Sequence, residues 1–272
     1  MPTASTQTSA NAPFLKTAVV LWLLALCGVA CVLPFALSVQ GDTLNALAAQ
    51  KHMDPRMLLA ASLAQSVLFI GGAVFLGLWS ARKIGLGAPL FSAWLYRNPL
   101  PAGTFSRLSI AVVCGVAISL IVLALNRWGF APLVHADARA SMHPAPWQGL
   151  LASIYGGIDE EILMRLGLLS VLALILRTIV RAFGGGQASP LPARVFWLAN
   201  LVVAIVFGLL HLPVVAAVAQ ITPLIVPCAV VLNGIAGLIF GALYRRYGLE
   251  AAKTAHFSGD IVLHVLIPIS IG

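Results

Sequence analysis

The chain has 272 residues, of which 60% are hydrophobic and only 9% charged, and its formal net charge is +8. A soluble domain usually carries about 25% charged residues, so this composition excludes an ordinary water-soluble enzyme. The positive balance does not point to nucleic acid, because no basic cluster with interleaved aromatics is present and loop Lys and Arg are what membrane insertion uses.

Met1–Pro13 is a short polar tail, and Phe14–Val39 is the first long apolar run. That run exceeds the roughly 7–15 residues of a signal-peptide core, so a retained first span is expected; Ala36 and Ser38 form the weak cleavage-site pattern that is the alternative. Met57–Trp79, Leu108–Leu125 and Val195–Leu212 are further apolar runs, near the roughly 20 residues that cross a bilayer. Without water in the hydrocarbon, each must satisfy its own backbone as a helix, and the alternation of a β-barrel is absent. Polar breaks fall at Gln40–Arg56, Ser80–Arg107, Asn126–Pro146, Phe183–Arg194 and Tyr244–Lys253. The basic stretch Lys83–Arg107 holds Trp94 and Tyr96 and is expected to lie partly on the membrane surface.

Trp147–Arg181 is too long for one straight span at about 1.5 Å per residue across a core of roughly 30 Å. A break is expected at Gly156-Gly157, and a bend or short hairpin at Pro213, Pro223 and Pro227. The fold class expected is all-α, a polytopic transmembrane helical bundle of about seven to eight spans. It reads as a polar tail (1–13), transmembrane helices without an assignable motif (14–146) and a motif-bearing transmembrane core (147–272). With seven spans and the N-terminus inside, eleven Lys and Arg fall on the inner side and four on the outer, which places the N-terminus in the cytoplasm. Membrane lipid is therefore an expected partner. The four cysteines, Cys27, Cys31, Cys114 and Cys228, all lie in apolar runs and read as packing residues rather than as a redox or metal set.

The informative residues are those that do not belong in lipid. Of eight acidic residues, Asp159, Glu160, Glu161 and Asp260 sit in apolar segments, joined by Arg165, His211, His256 and His264. Ionisable groups at such depth cost a few kcal/mol each on insertion scales and usually face a protein interior. Glu161 and Arg165 are one helical turn apart with the acid first, the better order for a pair. Glu160 points about 100° away and is left free of that partner, as a general base requires; a structural ion-pair knot explains the same residues equally well. His211 closes Phe207-Gly208-Leu209-Leu210-His211, and a lone histidine there is more often a packing residue. His256 and Asp260 again share one face and suit either imidazole orientation, metal binding, oxyanion donation or a simple tie between helices. Ser258-Gly259 between them is expected to let a substrate backbone approach, and His264 one turn later is expected to pack. No His-Glu-x-x-His zinc motif and no Gly-x-Ser-x-Gly elbow is present.

Glu160-Glu161-x-x-x-Arg165, Phe207-x-x-x-His211 and His256-x-x-x-Asp260 stand in that order. Together they resemble the three motifs of the CAAX-protease and bacteriocin-processing (CPBP) intramembrane proteases. Gly237–Gly248 resembles that family's glycine-rich helix, and the likeness runs from about Trp147 to Ile267. Leu166 before Gly167, Met164 before Arg165, and Asp260 in place of Asn depart from its usual pattern. The resemblance implies an intramembrane endopeptidase acting on a peptide or membrane-protein substrate. Glu160 and His211 would activate water, His256 helped by Asp260 would stabilise the oxyanion, and Glu161 and Arg165 would be structural or substrate-positioning. Glu160, His211 and His256 suit either Zn2+ with an open position or metal-free use; no cofactor is the favoured expectation. The alternative is a non-proteolytic membrane protein, a bacteriocin-immunity factor or a transporter, using the same charges for a partner or protons.

Overall fold

A computed structural model describes residues 14–131, 144–184 and 190–271, without the side chains of Val218 and Ile271. The polar tail, Arg139 and Gly185-Gly186 lie outside the described residues. The chain opens with two long helices, α1 (Phe14–Gln50) and α2 (Pro55–Ile84). The turn between them is set locally: Asp54 accepts from the Arg56 backbone N–H at 2.7 Å and Pro55 starts the next helix, a standard N-cap. Gly85 ends α2 in the left-handed region at φ 75°, where only glycine is unstrained. A short helix, α3 (Pro89–Leu95), follows, and α4 (Thr104–Ala124) runs on into a π turn, Leu125–Phe130. Trp94 on α3 is exposed. The Phe91 N–H donates to Glu250 at 2.6 Å and so ties this segment to a distant helix.

The second half begins with α5 (Pro146–Tyr155) and does not break at Gly156-Gly157 as expected. It widens into two π segments, Gly156–Glu160 and Ile162–Leu169, before α6 (Ser170–Ala182). A π turn takes in one extra residue without abandoning the helical ladder, so the backbone stays satisfied in the bilayer. The two glycines serve close approach instead. A Cβ on Gly156 would overlap the Asp260 carboxylate, and one on Gly157 would sit 2.9 Å from the Cβ of Phe257. Next come α7 (Ala193–Leu210) and the short α8 (Leu212–Val218), which with the turn at 219–224 takes the place of the expected hairpin. The chain then forms α9 (Ile225–Tyr247) and α10 (Leu249–Ile261), which continues through a π turn, Val262–Leu266, into α11 (Ile267–Ile271).

Among the described residues there is no strand, and six helices are long and apolar enough to cross a membrane. The continuous helical stretch Leu249–Ile271, which carries Glu250, Lys253, His256, Asp260 and His264, is not among the six, so the described residues give fewer candidate spans than the seven to eight expected. The chain is thus a polytopic helical bundle of the multi-pass membrane type. Its exterior is apolar, with Leu68, Phe105 and Trp128 each more than three-quarters exposed, a surface that suits lipid and not water. Inside, α9 lies along α7, α10 packs on α4 and α5, and α2 packs on α1 and on Ile162–Leu169. Glycines set the register of α5 against α10: Gly149 meets His264, Gly156 meets Asp260 and Gly157 meets Phe257. This antiparallel contact brings the first and third motifs to one depth.

Candidate active site

The centre of the site is a buried carboxylate. Glu161 is 0% and Arg165 1% exposed, and Arg165 Nη1 lies 3.0 Å from Glu161 Oε1. The pair expected from the i, i+4 spacing therefore forms. The guanidinium is held further by Nη2–H donating to the Gly237 carbonyl at 3.3 Å. It also stacks over Phe207 and Phe240, 4.7 Å and 5.4 Å from their ring centres. Cation–π contacts of this kind gain strength when desolvated. They explain both the first residue of the second motif and the glycine-rich helix, whose backbone must come close enough to accept from Arg165.

Glu161 has a second partner that the sequence did not disclose. The same Oε1 accepts from Nδ1 of His256 at 2.8 Å, across 95 positions in sequence. Fixing Nδ1 in this way leaves Nε2 to face the remaining groups. His256 Nε2 lies 3.7 Å from Glu160 Oε2 and 3.6 Å from Asp260 Oδ2. The Phe240 ring stacks on the imidazole at 4.8 Å, and the Phe207 ring meets it edge-on at 5.8 Å. Glu161–Arg165 is thus the support of His256 as well as a tie between helices.

Glu160, His211, His256, Asp260 and His264 all line one cavity of about 560 Å³. Glu161 and Arg165 lie behind it. His211 ends α7; its Nδ1–H donates to the Phe207 carbonyl at 2.7 Å, one turn back. That bond sets the tautomer and leaves Nε2 with its lone pair. The far wall of the cavity comes from α1, including Val32, Phe35 and Gln40. A second, almost wholly apolar cavity of about 630 Å³ lies between α2 and Ile162–Leu169, and Leu163 and Met164 border both.

One expectation fails, two supporting residues were missed, and one acidic residue lies apart from the site. Ser258-Gly259 does not open toward the cavity: a Cβ on Gly259 would sit 2.5 Å from Ser119 Oγ, so this face packs on α4, and Ser258 donates to the Thr254 carbonyl. Phe240 carries no motif signal, although an aromatic inside a glycine-rich helix was a cue. Asn200, buried at 1% exposure, donates to the Leu238 carbonyl at 3.0 Å and holds that helix; a lone Asn in the apolar run was the available sign. Asp159 is fully buried against Gly28 of α1 and takes no part in the cavity lining.

Among the described residues no group of three or more His, Cys, Asp and Glu is arranged to hold a metal ion. His256 in particular has Nδ1 bound to Glu161 and Nε2 set between two carboxylates.

The apolar helical bundle thus brings Glu160, His211, His256, Asp260 and His264 onto one cavity, with the Glu161–Arg165 pair behind it. Residues 142–262 match the family of Rce1-like type II CAAX prenyl endopeptidases. The match covers 121 of the 272 residues, so the segment that holds the site is similar to the CAAX-protease type of the CPBP family. No curated protein and no solved structure is similar enough to the chain to match.

Proposed function

We propose that the protein is an intramembrane endopeptidase that hydrolyses a peptide bond with water activated by Glu160 and His211. The observation that carries the reading is that Glu160, His211, His256 and Asp260 line one cavity inside an apolar bundle. Water attacks the scissile carbonyl carbon while Glu160 takes the water proton, with His211 on the wall of the same cavity. The oxyanion that forms meets Nε2–H of His256 in its imidazolium form, whose Nδ1–H is given to Glu161 and whose charge Asp260 faces from the cavity side. Collapse of the tetrahedral intermediate breaks the C–N bond, and the proton held by Glu160 passes to the leaving amine. Oriented donors in a low-dielectric cavity are worth more than the same donors in water.

The reading is metal-free, since among the described residues no three of His, Cys, Asp and Glu are grouped to hold a metal ion. A substrate with an apolar chain has an open apolar groove available next to the site, since Leu163 and Met164 border both, and a prenylated peptide is the natural candidate for a chain with Rce1-like similarity. The excess of Lys and Arg on one set of loops supports a cytoplasmic N-terminus. The test is cleavage of a quenched fluorescent peptide, with a farnesylated cysteine followed by three residues, by purified protein in detergent. Cleavage is expected with and without a chelator, and none with Glu160→Ala. No cleavage by the wild-type protein would end the peptidase reading in favour of an immunity factor or transporter; turnover by Glu160→Ala at the native rate would remove Glu160 from the chemistry, and loss on chelation would end the metal-free reading.

A further inference from the structure

The basic residues gather at one end of the bundle. Lys16 opens α1, Arg82 and Lys83 close α2, Arg177 and Arg181 close α6, Arg194 opens α7, and Arg245 and Arg246 close α9. Contacts between these ends show that they meet. Arg177 Nη1–H donates to the Lys83 carbonyl at 2.8 Å, Arg82 lies over the Phe14 ring, Arg245 over the Phe196 ring and Lys16 over the Tyr96 ring. The Leu249 N–H donates to the Gly87 carbonyl at 2.9 Å and brings the start of α10 to the same end. Among the described residues, the Lys and Arg of the opposite end are Lys51, Arg56 and Arg127.

The cavity that holds Glu160, His211, His256 and Asp260 lies toward that opposite end. From Arg194 along α7 to His211, and from Arg177 back to Glu160, is in each case roughly 25 Å of helix at about 1.5 Å per residue, most of a hydrocarbon core of roughly 30 Å. The α1 wall of the cavity runs from Val32 to Gln40, which begins roughly 24 Å beyond Lys16 and ends roughly 36 Å beyond it. On the basic side the cavity is backed by packed side chains. The Glu161–Arg165 pair stands there with Phe207 and Phe240 against its guanidinium. Nearer the basic end, the Ser170 and Tyr244 hydroxyls lie 2.8 Å apart and Asn200 donates to the Leu238 carbonyl; Ser170, Tyr244 and Asn200 are all buried. On the other side the wall is made of chain ends, because α7 stops at His211 and Pro213 and Val214 of the short α8 line the cavity. The neighbouring apolar groove extends the same way, to Gln65, roughly 27 Å of helix from Lys83. Lys and Arg mark the cytoplasmic side of a membrane protein. We propose that the cavity opens on the non-cytoplasmic face, so that the peptide it takes is an exported segment held at the outer leaflet and not one presented from the cytoplasm. The inference rests on the peptidase reading and adds the side from which the substrate comes.

The test is side-specific labelling and cleavage in right-side-out and inside-out vesicles from cells expressing the full-length protein. With Cys27, Cys31, Cys114 and Cys228 changed to Ala, Gln40→Cys reports on the cavity and Arg246→Cys on the basic end. A charged maleimide is barred by the hydrocarbon core, so it is expected to label Gln40→Cys at least about tenfold faster in right-side-out vesicles and Arg246→Cys at least about tenfold faster in inside-out ones. The protein with its own cysteines supplies the second arm. The farnesylated peptide, carrying a sulfonated dye that keeps it on the side of addition, is expected to be cut at least about tenfold faster in right-side-out vesicles, and detergent is expected to remove the difference. Labelling of Gln40→Cys that is faster in inside-out vesicles, equal in both or absent would overturn the proposal. So would labelling of both cysteines from one side, or cleavage as fast or faster in inside-out vesicles. If the protein in detergent cleaves nothing, the peptidase reading falls, and the labelling alone decides on which face the cavity opens.

Discussion

The two halves of the chain use the bilayer differently. Among the described residues up to Ala131, the buried polar groups are hydroxyls: Thr17, Ser80, Ser92, Thr104 and Ser119. From Ala145 onward the interior also takes in Asp159, Glu161, Arg165, Asn200 and His256. The first half is held by small-residue contact, as where Gly77 meets the Leu166 backbone and Gly115 the Ala255 backbone. The second half carries a network in which each charge depends on another, Arg165 on Glu161 and Glu161 on both Arg165 and His256. Packing faults should therefore act on stability in proportion to volume, whereas a fault in the network should act on stability and chemistry together. A buried charge without its partner costs far more than a methylene out of place.

The sharpest break in that contrast is Glu160→Gln, which keeps shape and removes basicity. It is expected to lower kcat about 10²–10⁴-fold, the usual worth of a general base, with thermal stability close to wild type because Glu160 is a quarter exposed and outside the Arg165 pair. A folded Glu160→Gln protein of native activity would remove this residue from the chemistry. Arg165→Ala comes next and acts on the other axis. It leaves Glu161 buried without its guanidinium and is expected to destabilise by roughly 3–5 kcal/mol, read as lost expression or a lower Tm, with Arg165→Lys milder because the charge remains.

Glu161→Gln tests whether support and chemistry are joined. Its Oε1 still accepts from His256, but the charge that Arg165 and His256 share is gone. A loss in kcat of about tenfold, the scale for a group that orients another, together with a lowered Tm is expected. A stability effect with no change in kcat would mean that Glu161 serves Arg165 alone. In the first half, Gly28→Ala places a methyl against the buried Asp159 carboxylate and is expected to cost about 1–3 kcal/mol by overpacking, with kcat of the surviving protein near native. The smallest effect is expected at the lipid-facing surface. Val113→Ala, at a position 66% exposed, should change stability by no more than about 0.5 kcal/mol, measured by the same denaturation.

The sequence by itself determined the helices and much of the candidate site's membership. Apolar runs in a bilayer leave the backbone no other option, and intervals of four residues place Glu161 with Arg165, Phe207 with His211 and His256 with Asp260 on common helical faces. It also marked Glu160, His211 and His256 as residues that need an interior, since lipid could not hold them. What the tertiary structure alone decided were the meetings between distant segments and the faces that glycines serve. Nothing local to Glu161 encodes a bond to His256, because that bond exists only once α10 lies against α5. Gly156-Gly157 read as a break and proved to be where Asp260 and Phe257 approach, since a glycine's lack of a side chain does not say whether a turn or a neighbour requires it. Ser258-Gly259 faces α4 and not the cavity for the same reason: spacing gives the face of a helix, and only packing says what that face meets.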